Sequence, residues 1–235
     1  MGEFTTLMAR DGHNFQAYLA APPAKSRGGV VVIQEIFGVN RHIRSVTDGF
    51  AQAGYTAIAP ALFDRIRRGI ELGYSAAEIT EGRNYAHELD PDLILKDLAA
   101  AIAVIAHAGH VATVGYCFGG AQSYRAACRL PIQCAVVYYG RVQDDGTSPR
   151  CPVLYHFGDA DQSIPPQEVA RIQALHPHGT YFIYPGAGHG FNCDLRSSYD
   201  PAAAALARQR TLEFLEQNLQ PEGAGRSAPA TGGQG

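Results

Sequence analysis

The 235-residue sequence has no Cys-x-x-Cys pair, no His-Glu-x-x-His segment, no internal repeat and no excess of basic charge. Each absence removes a class of protein. Five cysteines (Cys117, Cys128, Cys134, Cys151 and Cys193), odd in number and without paired spacing, argue against a disulfide framework and against zinc. A formal net charge of −3 leaves no electrostatic footprint for nucleic acid. No apolar run approaches the roughly 20 residues that cross a bilayer, so no membrane partner is expected. The N-terminus, "MGEFTTLMARDGHNF", lacks a basic segment followed by an apolar stretch, which argues against a secretory signal and for a cytoplasmic location.

What remains is an ordinary globular composition, 46% hydrophobic and 17% charged, with enough apolar surface for one domain. β-rich runs alternate with amphipathic segments, the signature of an α/β fold with a mostly parallel central sheet flanked by helices. Residues 15–20 alternate as a half-buried edge strand. Residues 29–34, 55–60, 110–116, 134–140, 152–158 and 180–186 are apolar enough for central strands. Between them a helix over 41–53 has Asn40 as N-cap and buries Ile43, Val46 and Phe50. Leu95, Leu98, Ile102 and Ile105 repeat at helical spacing. A last helix opens with Asp200 and Pro201 and carries Leu212, Leu215 and Leu219. Residues 61–92 lack a strong strand and read as an excursion over the top of the sheet, with Arg65, Arg67 and Arg68 as a solvated face. A single domain over 1–220 is expected, followed by a Gly-, Pro- and Ala-rich tail over 221–235 that reads as disordered.

The segment "VGYCFGGAQ" (114–122) joins an apolar strand to a helix and places Cys117 at the turn, framed by Gly115 and Gly119. This Gly-x-Cys-x-Gly pattern is that of a nucleophile elbow with cysteine in the serine position, and no Gly-x-Ser-x-Gly occurs elsewhere. Gly115 permits the tight turn, Gly119 lets the helix approach the strand, and the helix's first amides favour a thiolate. A reacting thiol needs a base and an acid to orient it. The next strand-end acids are Asp159 and Asp161, and a histidine, His189, follows the last strand between Gly188 and Gly190, where an exposed loop is expected. The chain order Cys117, Asp161, His189 is nucleophile, acid, histidine. Asp161 is favoured over Asp159 and over Asp194.

Five segments carry a resemblance to a known family: residues 30–63, containing "QEIFGVN", and "VGYCFGGAQ", "CAVVYYG" (134–140), "GDADQSIP" (158–165) and "GAGHGF" (186–191). On these the chain resembles the dienelactone hydrolase family of α/β-hydrolases over about residues 12–218. The resemblance implies hydrolysis of a lactone or carboxylic ester through a Cys117–Asp161–His189 triad and an acyl-thioester. It implies no metal or organic cofactor, and a small-molecule substrate for a monomeric chain. The backbone amides of Ile36 and Phe118 would form the oxyanion hole. Glu35 would sit against the nucleophile, hold the resting thiol away from His189 and accept its proton when substrate binds. Taken from the sequence alone, Glu35 ends an apolar strand where an unpaired carboxylate is costly, and a salt bridge to Arg41 or Arg44 is the competing explanation. The family's arginines hold a substrate carboxylate. Here the position four residues past His189 is Cys193, and the other arginine corresponds to Arg83. Two other functions fit the same frame: thioester hydrolysis or acyl transfer by the same triad, and a non-catalytic binding protein. Acyl-product analysis separates the first from plain hydrolysis, and turnover of an activated ester excludes the second.

Overall fold

The structure is a computed structural model and describes residues 1–220; the expectation for 221–235 lies outside the described residues. Eight strands form one sheet in the order β1-β2-β4-β3-β5-β6-β7-β8. These are β1 (Glu3–Met8), β2 (Asn14–Ala20), β3 (Gly29–Ile33), β4 (Thr56–Pro60), β5 (Val111–Tyr116), β6 (Cys134–Tyr138), β7 (Val153–Gly158) and β8 (Thr180–Tyr184). β2 runs antiparallel to β1 and β4, whereas β4, β3, β5, β6, β7 and β8 are mutually parallel. Parallel strands need crossovers, and six helices supply or flank them: α1 (Arg41–Gln52), α2 (Ala76–Glu88), α3 (Pro91–Ile105), α4 (Phe118–Arg129), α5 (Pro166–Leu175) and α6 (Pro201–Leu219).

Alternation along the strands sorts the core onto two faces. Val30 and Val32 of β3 join Ile43 and Phe50 of α1 and Leu215 and Leu219 of α6 on one face. Val31 and Ile33 join Leu98, Ile102 and Ile105 of α3 on the other. Helix ends follow the caps read from the sequence. Asn40 accepts from Ile43 N, and Asp200 accepts from Ala202 N and Ala203 N ahead of Pro201. Among the described residues no helix is long and apolar enough to cross a membrane.

Three expectations are corrected. The edge strand is β1, so residues 15–20 lie one strand in, as part of β2. β1 escapes a pattern search because most of it is exposed and only Leu7 is buried. At the other end, residues 180–184 form the opposite edge and are not central. Their apolar side chains serve local packing, as where Tyr181 stacks on Tyr155 and Arg210 lies 3.9 Å above the Phe182 ring. Arg65, finally, is no solvated face. Its guanidinium bonds the fully buried Asp97 at 2.6 and 2.7 Å and also Asp11, clipping the 61–92 excursion to α3.

Candidate active site

The last residue of β5 is Tyr116, and the next, Cys117, turns the chain through φ 54°, ψ −114° before α4 begins. Such a backbone is strained for a non-glycine residue and persists only where its surroundings enforce it. Glycine makes the enforcement possible. A Cβ on Gly115 would stand 1.9 Å from Gly119 O, and one on Gly119 would meet the carbonyl oxygens of Ile33 and Gln34 at 2.3 and 2.5 Å. The elbow is thus pressed against its own helix and against the end of β3. The amide of Cys117 donates to Tyr138 O at 3.0 Å, a bond that extends the β5–β6 pairing by one residue.

Parallel strands point the same way, so the segments after β5, β7 and β8 gather at one edge of the sheet. Asp161 follows β7 and His189 follows β8. His189 Nε2 lies 3.0 Å from Cys117 Sγ, and His189 Nδ1 donates to Asp161 Oδ2 at 2.8 Å. Asp161 is buried, and its other oxygen accepts from Ser163 N and Ile164 N at 2.7 and 3.0 Å. Burial works against its charge. The hydrogen bond from His189 and that residue's charge outweigh it, and the carboxyl is held below its ordinary value. Burial also disfavours the His189 imidazolium, but its neighbours Cys117 and Asp161 overcome it and raise the pKa to about 10. The arrangement favours a protonated His189 between Cys117 Sγ and Asp161. The competing acids are engaged elsewhere: Asp159 accepts from Gly186 N, and Asp194 pairs with His42 Nδ1.

Two expectations about this centre change. The His189 loop is partly buried, with the Tyr139 ring edge-on to the imidazole at 5.2 Å. The thiol is also not held off the histidine, because the enforced turn at Cys117 aims Sγ at Nε2. Glu35 is occupied by neither Arg41 nor Arg44. Its Oε1 faces Arg196 Nη1 at 3.4 Å, while Arg44 pairs with Glu71.

Around the pair opens a cavity of about 600 Å³ lined by Ile36, Phe118, Cys117 and His189 and by four arginines, Arg83, Arg125, Arg141 and Arg196. The amides of Ile36 and Phe118 bond no group among the described residues. Gln34 aims the first of them. Its buried side chain accepts from Leu62 N at 3.1 Å and donates to Glu35 O at 3.2 Å, and fixing that carbonyl fixes the opposite face of the same peptide, Ile36 N–H. Gly82 of α2 completes the wall, since a Cβ there would stand 2.2 Å from Ile36 O; its neighbour Arg83 is exposed at the cavity rim.

Cys193 is fully buried and lines no part of this cavity. Arg196, three residues on, does line it. The loop reaches that far through successive turns, Cys193 N to Gly190 O and Arg196 N to Cys193 O. Gly190 holds φ +77°, and a Cβ there would meet Arg196 Nη1 at 2.3 Å. Sequence reasoning missed Gln34 and Arg196. "QEIFG" contains the first, and a search for any basic residue past His189 would have found the second.

Residues 15–219 match the model of the dienelactone hydrolase family. The carboxymethylenebutenolidase of Pseudomonas putida is 34% identical over 229 residues, covering 91% of this chain and 95% of that one. A Synechocystis protein provisionally assigned the same activity is 38% identical over 241 residues, with 92% and 98% covered. A solved Klebsiella pneumoniae structure, provisionally described as a dienelactone hydrolase, superposes with a TM-score of 0.78 at 30% identity, covering 92% of this chain and 99% of that one. The elbow, the strand order that gathers three segments at one edge and these likenesses agree: the chain belongs to the dienelactone hydrolase family.

Proposed function

We propose that this protein is a cysteine-dependent hydrolase of lactones or carboxylic esters bearing a carboxylate. The observation that carries the reading is the continuous chain from Cys117 Sγ through His189 to Asp161, at 3.0 and 2.8 Å, at the wall of a 600 Å³ cavity. The Cys117 thiolate attacks the carbonyl carbon, and the tetrahedral oxyanion is received by the Ile36 and Phe118 amides. Collapse breaks the C–O bond, and the departing alkoxide takes the proton from His189 Nε2. In a lactone that alkoxide stays tethered to the acyl chain. Water then gives a proton to His189 and attacks the thioester. Breaking the C–S bond releases the acid and restores the ion pair.

The cavity's cations support a carboxylate-bearing substrate. Arg125 is drawn to Asp92, and Arg141 donates to Ser163 O. Arg83 has no ion-pair partner among the described residues, and Arg196 shares only a long contact with Glu35. These two are left to receive a carboxylate, with Arg196 taking the part that Cys193 cannot. Glu35 is then a positioning residue that holds Arg196 at the cavity wall.

The test combines quenched-flow mass spectrometry with acyl-product analysis. During turnover of p-nitrophenyl acetate the intact chain should carry one acetyl group at Cys117, absent from Cys117→Ala, and added alcohols or amines should leave the acid as sole product. A wild-type rate in Cys117→Ala would overturn the nucleophile, and ester or amide products would reassign the protein to acyl transfer.

A further inference from the structure

Outside the lining of that cavity, three chemically unlike side chains converge from separate elements. Glu35 follows β3, His42 lies in the first turn of α1, and Cys193 belongs to the loop after β8. They are 1%, 4% and 0% exposed. One donor atom of each lies within 4.8 Å of the other two.

Glu35 Oε1 faces Arg196 and His42 Nδ1 bonds Asp194 Oδ1 at 3.0 Å, which leaves Oε2 and Nε2. Both are buried, and neither has a hydrogen-bond partner among the described residues. Leaving two such atoms unsatisfied costs about 1–3 kcal/mol each, and more for a charged carboxylate. A thiol beside them is no remedy for both, because it has one weak donor hydrogen.

A cation answers all three at once. Carboxylate, imidazole and thiolate are the ligand types of zinc, whose bonds of about 2.0–2.3 Å put tetrahedral ligand atoms about 3.3–3.8 Å apart. Contraction of about 1–1.5 Å from the 4.8 Å limit reaches that spacing. The outer contacts are those a metal site requires. Asp194 holds His42 with Nδ1–H donated outward, which presents the Nε2 lone pair to the cluster. Charge also favours a dication: the carboxylates of Glu35 and Asp194 stand against the single positive charge of Arg196.

We propose that Glu35, His42 and Cys193 form a binding site for a divalent cation of the zinc type, separate from the Cys117–His189 pair. The sequence pointed away from zinc because its ligands fall at positions 35, 42 and 193, with none of the short spacing of a zinc motif. Occupancy neutralises Glu35 and so loosens its hold on Arg196, which would make the metal an inhibitor of carboxylate-bearing substrates; that consequence alone rests on the proposed function.

Cobalt(II) is the probe, and the full chain carrying Cys117→Ser is the host, since the catalytic thiol is itself a metal ligand. Titration should give a thiolate-to-cobalt charge-transfer band and intense tetrahedral d–d bands saturating at one equivalent, bleached by Zn²⁺. Adding Cys193→Ser should abolish the charge-transfer band. Asp194→Asn, a change on an exposed side chain that leaves the fold intact, should weaken cobalt binding about tenfold through His42. No band in the Cys117→Ser host, or a band that survives Cys193→Ser, would overturn the site, and unchanged affinity in Asp194→Asn would remove His42 from it. Because the host lacks the nucleophile, these outcomes are independent of the hydrolytic reaction.

Discussion

The elbow after β5 and the loop after β8 supply the two halves of the Cys117–His189 contact by opposite means. At the elbow, backbone touches backbone. Gly115, Gly119 and Gly120 stand where a Cβ would lie 1.9 to 2.8 Å from main-chain atoms, so position is set by excluded volume. In the 186–200 loop, main-chain turns only bring side chains into range, and the work is done by reach: His189 to Cys117, Asp194 to His42, Arg196 to the cavity wall. The first region admits almost no sequence freedom. The second admits more, as the proposed transfer of an arginine's task from position 193 to position 196 would require.

The difference is open to experiment, beginning with its largest expected effect. Asp161→Asn removes the charge that orients and stabilises the His189 imidazolium, and kcat should fall about 10³–10⁴-fold. The sign of the accompanying pH effect is fixed: a lost negative neighbour lowers the His189 pKa from about 10. The alkaline limb of kcat should therefore move to lower pH on an unactivated ester, whose leaving alkoxide needs that proton. A limb that stays in place or rises would detach Asp161 from His189.

Gly119→Ala tests the steric half. The new methyl group would stand 2.3 and 2.5 Å from two β3-end carbonyl oxygens, so a destabilisation of about 3 kcal/mol is expected in urea unfolding. A loss under about 0.5 kcal/mol would show that the elbow yields.

Arg196→Met tests the side-chain half. It should raise KM about tenfold for a carboxylate-bearing lactone, about 1.4 kcal/mol, while leaving its methyl ester and the thermal unfolding midpoint little changed. An equal change for acid and methyl ester would exclude Arg196 from carboxylate recognition. The smallest effect belongs to Gly190→Ala, which crowds the flexible end of Arg196 and strains one φ. A two- to fivefold rise in KM on the same acid is expected, corresponding to about 0.4–0.9 kcal/mol, and none once Arg196 is already methionine.

The same division governs what the sequence disclosed. The order of Cys117, Asp161 and His189, the caps at Asn40 and Asp200 and the central strands could be read because each depends on local pattern: a glycine frame, a polar cap, a run of β-branched residues. The positions of Gln34 and Arg196 could not. Gln34 acts by orienting a neighbour's carbonyl, which has no sequence period, and Arg196 acts across a loop whose path depends on successive turns and one positive φ. Glu35 was found as a costly buried acid, but its partner lies 161 residues away. β1 shows too little burial to leave an alternating signal, whereas β8 has apolar residues that serve an edge.

Among the described residues, Cys117 and Tyr139 are the two non-glycine residues with positive φ, at 54° and 37°. Each directly follows a parallel strand, and each amide is bonded to the neighbouring strand, Cys117 to Tyr138 O at 3.0 Å and Tyr139 to His156 O at 2.8 Å. The two kinks therefore sit in a row across β5, β6 and β7, stitched to the sheet. Neither can relax without tearing a bond at the sheet's most deeply buried strands. Their amide protons should exchange with deuterium only in the large openings that release the central strands, hours behind the 186–200 loop that faces them across the same cavity.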